Sequence, residues 1–212
     1  MLLIKNGRVI DPARKKERNA DIVVKDGKIE KIYAEGTLPA KAEAAANQVL
    51  DAKGLVVAPG LVDVHVHFRD PGLTHKADIH TESTAAAAGG VTSFMDMPNT
   101  TPQTTTLEAL NAKFADAATK SIVNYSFYFG ATNTNADVLP TLDKNRVCGV
   151  KLFMGASTGN MLVDRMEVLR KVFANAGILI AAHCEEQSII SANTTAFKEK
   201  YGEDPDIKYH PQ

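Results

Sequence analysis

The sequence predicts an α/β protein: a series of parallel strand–helix units of the barrel kind, preceded by a small β module. Three observations predict it. Five apolar, strand-like runs alternate with helical patterns from residue 58 onward. No glycine-rich phosphate loop follows the first of these strands, so a dinucleotide-binding sheet lacks its fingerprint. Polar residues fall at or near the C-terminal ends of the strands, where barrel active sites are built.

The elements follow in order. Leu2 to Ile10 is an apolar run around Asn6-Gly7, a turn signal. Ala20 to Tyr33 reads as a hairpin turning at Asp26-Gly27. Lys41 to Gln48 is polar and Ala-rich, a loop or short helix, and strands resume over Val49 to Val57 around Lys53-Gly54. After Ala58-Pro59-Gly60 the character changes. Strands are predicted over 61–68, 91–97, 122–130, 147–154 and 178–184, and helices over 76–88, 106–119, 135–143, 162–175 and 186–200. Gly89-Gly90 and Gly177 stand where helices stop, and Thr105 or Thr106 is an N-cap.

Composition narrows the function classes. The 212 residues are 44% hydrophobic and 23% charged, an ordinary globular balance that excludes disorder, collagen and coiled coil. Lys+Arg 24 against Asp+Glu 25 gives a net charge of −1 with the signs interspersed, so neither a nucleic-acid nor a membrane surface is indicated. No apolar run reaches the roughly 18 residues of a membrane helix, and Met1 to Ile10 does not read as a signal peptide. The two cysteines, Cys148 and Cys184, form no disulfide framework and fit a reducing cytoplasm. Cys184 is read as a buried packing residue rather than a thiol nucleophile or a zinc thiolate.

The chemistry sits in a few side chains. In strand 61–68, Val62, Val64, Val66 and Phe68 share one face, and Asp63, His65 and His67 share the other, with Arg69 in the same parity. Two imidazoles at i and i+2 project the same way and reach one ion, although a polar or surface pair of histidines has the same spacing. Lys151 interrupts the apolar run Val150-Lys151-Leu152-Phe153. It is either a lysine snorkelling at a strand end or an amine of depressed pKa. Such an amine takes up carbon dioxide to give a carbamate that bridges two cations. His183 ends the apolar strand ILIAA, as a rim ligand or as a capping histidine, and Glu185 and Glu186 read as first-turn helix acids. Asn99, in Asp96-Met97-Pro98-Asn99-Thr100, offers an amide at the rim or is a plain turn residue. Candidate ligands at three strand ends together suggest a metal-centred hydrolase.

The segments LIKNGRVIDP, GLVVAPGLVDVHVHFRDPG, AAAAGGVTSFMDMPNTTPQT, GVKLFM and ILIAAHCEE resemble the cyclic amidohydrolases over nearly the whole chain and in that family's order. Within them the match is closest to the dihydroorotases. The resemblance implies two zinc ions per active site, with His65 and His67 on the more buried ion and His183 on the more exposed one. It implies a carbamate on Lys151 as the bridge, and Arg69 and Asn99 holding the substrate's carboxylate. Some bacterial members carry an aspartate in place of the bridging lysine; here the position is Lys151. The implied reaction is the reversible interconversion of L-dihydroorotate and N-carbamoyl-L-aspartate in pyrimidine biosynthesis. Arg69 and Asn99 favour this over a hydantoinase or allantoinase. A catalytically dead scaffold partnering aspartate carbamoyltransferase is the alternative from another class. Family members are commonly homo-oligomers.

The family's barrel has eight units. The resemblance therefore implies a partial TIM (β/α)8 barrel of about five βα units over 58–212. Residues 1–57 would be the N-terminal part of a β-sandwich module, incomplete in this chain. A whole barrel takes about 250 residues, so the remaining zinc histidine and the general-base aspartate are expected beyond Gln212. His210 is not taken as the missing ligand. These 212 residues on their own are expected to be inactive and poorly soluble, with open sheet edges.

Overall fold

The structure is a computed structural model, and it describes residues 1–155 and 160–209. His210 lies outside the described residues. The chain divides into two compact units, Met1–Gly60 and Leu61–Gln212. Among the described residues, no helix is long and apolar enough to cross a membrane.

The first unit is a mixed sheet built on β1 (Leu2–Asp11), with β2 (Lys16–Lys25), β3 (Lys28–Ala34), β4 (Gln48–Asp51) and β5 (Val56–Val57). Its order is β3-β2-β1-β4, and β5 also pairs with β1. The β2–β3 hairpin turns through Asp26 and Gly27, both at positive φ, as a two-residue hairpin loop requires. Asn6-Gly7 is no turn. It is a bulge inside β1, with Asn6 at φ 61°. The bulge lets the first half of β1 pair with β4 and the second half with β5. Asp21, buried behind it, accepts the Asn6 N–H at 2.8 Å, which supplies the bond the ladder loses. The short helix α1 (Ala40–Ala44) follows the hairpin, and Val9, Ala20 and Ile22 form the small core.

The second unit runs β6 (Leu61–Val66), α2 (Ile79–Ala88), β7 (Val91–Asp96), α3 (Leu107–Lys120), β8 (Asn124–Gly130), β9 (Gly149–Phe153), α4 (Met166–Asn175), β10 (Ile180–His183) and α5 (Gln187–Tyr201). The strands form one sheet of order β10-β9-β8-β7-β6, every neighbouring pair parallel. It is a curled half-barrel, the partial barrel that the sequence predicts. Alternation fixes which way each side chain faces. Phe94, Phe127, Phe129, Val150 and Leu152 join Leu110 and Phe114 of α3 and Val172 of α4 in the core under the helices. The residues between them in the strands face away from that core. Asp78 caps α2 by accepting the Thr81 N–H at 2.8 Å, and Thr106 caps α3 by accepting from Ala109 at 3.1 Å.

Two helix expectations need correction. Over 135–143 only a 3-10 turn forms, Leu139–Thr141, with Pro140 in its first positions. The segment is held as a loop by buried Asn135, whose amide donates to the carbonyls of Thr105 and Gly130 and whose oxygen accepts from Thr132 N. The helix expected over 162–175 begins only at Met166, because Val163 N is bonded to the Phe153 carbonyl and extends the strand end.

Candidate functional site

The predicted residues come from four strand ends. Val66 and Phe68 pack with the helix-side core, so His65 and His67, of opposite parity, face away from it. The two rings stand 5.3 Å apart, centroid to centroid. Val150 and Leu152 are likewise in the core, which turns Lys151 to the same helix-free face. On β10, His183 alternates with Ile180 and Ala182 and stands beside Phe153 in the ladder, two positions beyond the partner of Lys151. The three imidazoles and the amine therefore share one face of the sheet. Among the described residues no three His, Cys, Asp or Glu side chains converge on one point.

Each group has a distinct environment. The His67 ring nitrogen Nδ1 lies 2.8 Å from Asn99 Oδ1. An amide oxygen only accepts, so Nδ1 carries the proton and the Nε2 lone pair stays available to an ion. Burial lowers the His67 pKa from the ordinary imidazole value; the Asn99 bond works in the other direction, and Arg69 and His65 add to the lowering. Lys151 is 3% exposed, and its burial pulls its pKa below the usual lysine value. Its ammonium sits 4.8 Å from the Phe153 ring centre. Among the described residues no carboxylate offsets the burial, so the amine is easier to deprotonate than a surface lysine. His183 Nε2 lies 2.9 Å from Glu185 Oε1, and Glu186 caps α5. The donor set fits a cation: imidazoles with a free nitrogen, and an amine disposed to be neutral.

Arg69 stands at φ 66°, a left-handed backbone that costs a non-glycine residue about 1 kcal/mol. The turn is held from both sides. Leu73 N bonds back to the Arg69 carbonyl, and Thr101 N bonds to the Pro71 carbonyl. Gly72, at φ 84°, lies against Thr101 so closely that a Cβ would overlap the Thr101 carbonyl oxygen. The two turns thus form one wall. Arg69 and Asn99 both line the same cavity of about 530 Å³, with Lys76 and Asn160. A larger cavity of about 620 Å³ lies at α5 and is lined by none of the predicted site residues.

Sequence reasoning missed two residues. Lys113 and Asp96 form an ion pair at 2.6 Å with both side chains fully buried. Lys113 follows Leu110 by three positions and precedes Ala117 by four, so it lies on the apolar stripe of α3. A charge on that stripe is the signal that finds it. Cys184 also differs from expectation: it is exposed, while Cys148 is half-buried. Burial raises the Cys148 thiol pKa to about 11, which keeps it protonated and unreactive.

A curled sheet of five parallel strands, interleaved with helices, places the chain in the (β/α)-barrel class. More narrowly, the chain belongs to the amidohydrolase family, whose model matches residues 56–211. It is similar to a dihydroorotase of Streptococcus pyogenes serotype M1, 40% identical over 197 residues, which is 89% of this chain and 43% of that protein. A dihydroorotase of Streptococcus pneumoniae serotype 4 is 54% identical over 122 residues, 58% of this chain and 28% of that protein. Among solved structures, an L-hydantoinase (dihydropyrimidinase) from Arthrobacter aurescens matches with a TM-score of 0.83 and 32% identity, covering 96% of this chain and 45% of that one. The chain spans less than half the length of these relatives.

Proposed function

We propose that the protein is a zinc-dependent dihydroorotase, or the ligand-bearing part of one. It would catalyse the reversible hydrolysis of L-dihydroorotate to N-carbamoyl-L-aspartate, a step of pyrimidine biosynthesis. The observation that carries the reading is the shared cavity. Arg69 and Asn99 come from two different strand ends, yet line one space, with Asn99 bonded to His67.

Two zinc ions would be held by His65, His67, His183 and Lys151 as its carbamate. The bound ions supply Lewis acidity toward the ring amide and lower the pKa of water. The chain's own groups do the rest. The amine of Lys151 adds carbon dioxide and gives up a proton, and its burial favours the neutral amine this needs. The Asn99 oxygen accepts the His67 Nδ1 proton and holds the ring. That leaves the Asn99 NH2 to donate to a carboxylate. Arg69 meets the same carboxylate with its planar fork. His183, oriented by Glu185, keeps a fixed ring at the rim.

A hydantoinase is the second reading, favoured by the likeness to the L-hydantoinase structure. A scaffold for aspartate carbamoyltransferase without activity of its own predicts no bound zinc. The experiment is an assay of the native protein on dihydroorotate, hydantoin and allantoin side by side, with zinc content measured. Dihydroorotate is expected to be the preferred substrate with about two zinc ions per chain. Arg69→Met is expected to abolish its turnover while zinc stays. Faster turnover of hydantoin, or a zinc-free active protein, overturns the proposal.

A further inference from the structure

Two fully buried charges sit directly behind the strand ends that carry His67 and Asn99. Lys113 Nζ is 2.6 Å from Asp96 Oδ2, an ion pair with both side chains at 0% exposure. The same ammonium donates to the Met97 carbonyl at 3.1 Å and faces the Phe127 ring at 4.8 Å. Asp96 Oδ1 accepts the Phe68 N–H at 2.9 Å, one residue past His67. Met97 N donates to the Val66 carbonyl at 2.9 Å, one residue before it. The contacts close a ring: His67 and Phe68, then Asp96 and Lys113, then Met97, Pro98 and Asn99, and back to His67 through the 2.8 Å Asn99 contact.

We propose that Lys113 is a positioning residue, a cross-brace from α3 that fixes the turn carrying Asn99 against the segment carrying His67. The role in metal and substrate binding rests on the functional reading above. Stability alone does not call for this pair. Taking two charges out of water is expensive, and apolar side chains of similar volume often fill such a site at no loss. A hydrocarbon cannot bind the Met97 carbonyl, nor turn the Asp96 carboxylate toward Phe68 N. Lys113 does both from one atom. Groups that orient a metal-binding imidazole typically change metal affinity or activity by roughly 10–100-fold when removed.

The test uses the native protein as the cell makes it. Lys113→Met alone leaves a buried carboxylate without its counter-charge, so the informative variants are the neutral pairs Asp96→Asn/Lys113→Met and Asp96→Asn/Lys113→Gln. Three quantities are read: zinc affinity by chelator competition, KM and kcat on dihydroorotate, and the His67 Nδ1–H resonance in metal-free protein. The methionine pair is expected to melt close to the native protein, yet to lose roughly 10–100-fold in zinc affinity or in kcat/KM. Its KM is expected to rise and its His67 Nδ1–H resonance to vanish. The glutamine pair keeps a donor for the Met97 carbonyl and is expected to recover part of each. A methionine pair with native zinc affinity, native KM and an unchanged His67 Nδ1–H resonance overturns the proposal. So does failure of both pairs to fold, since the lysine is then a core requirement. If the native protein binds no zinc, the functional reading fails, and the His67 resonance still decides the positioning inference by itself.

Discussion

His67 gathers more influences than any other side chain at the site. Burial disfavours its charged form, the Asn99 oxygen favours it, and Arg69 and His65 oppose it again. The net direction is down, so the ring stays neutral to a lower pH than a free imidazole. Over the window between the folded value and about 6.5, the unfolded chain binds the extra proton and the folded chain does not. Stability from this group is therefore present above that window and lost as pH falls through it. In an NMR titration of metal-free protein the His67 ring protons should give a midpoint below about 6.5. Asn99→Ala removes the acceptor that favours the imidazolium, so it should push the midpoint lower still. A midpoint raised by that substitution would show that the Asn99 contact opposes protonation, and that Nδ1 does not carry the proton.

Among the elements, α3 does more than cover the sheet. Seven residues after Lys113, its last turn carries Lys120, which bonds Asp70 at 2.8 Å and Asp116 at 2.7 Å. Asp70 is buried and also accepts the Ile79 N–H at the start of α2. The residue next to Arg69 is thereby tied to two helices. Asp70→Ala leaves the Ile79 donor buried and unpaired, which costs about 1–3 kcal/mol. Asp70→Asn keeps an acceptor and should cost less; urea denaturation of the two variants checks the order. Such ties also explain what the sequence disclosed and what it hid. The strands of the second unit were legible because Val, Ile and Phe alternate with the site residues, and so were the faces of His65, His67 and Lys151. Asp96 stood in plain view beside Asn99, but its partner lies on a helix seventeen positions later, and no local period announces a contact made in three dimensions. Asn6-Gly7 misled for a related reason. The pair that turns a hairpin also bulges a strand, and only the neighbours β4 and β5 decide which.

For the molecule as a whole, the two edges of the second unit's sheet set its behaviour. β6 and β10 are the end strands, and Leu61, Val62 and Val64 on β6 and Leu179 before β10 are all more than half exposed. Exposed β-branched and leucine side chains beside unpaired backbone N–H and C=O groups are a template for another strand. The interior strand β9, by contrast, is buried at every position. We infer that these 212 residues, produced as a polypeptide of their own, associate through these edges. Val64→Lys places a charge on the β6 edge, at a position that faces no ligand candidate and is already 55% exposed. It should cost the fold little and weaken the association, because a lysine entering a strand–strand contact must be desolvated. Light scattering behind a sizing column separates the outcomes. The unsubstituted polypeptide should run as an assembly that grows with concentration, and Val64→Lys should shift it toward the monomer. An unsubstituted polypeptide that stays monomeric at high concentration would overturn the inference, because open edges of this kind cannot then be what governs its behaviour. If Val64→Lys leaves an assembly unchanged, the contact lies at β10 instead, where Leu179→Lys makes the same test.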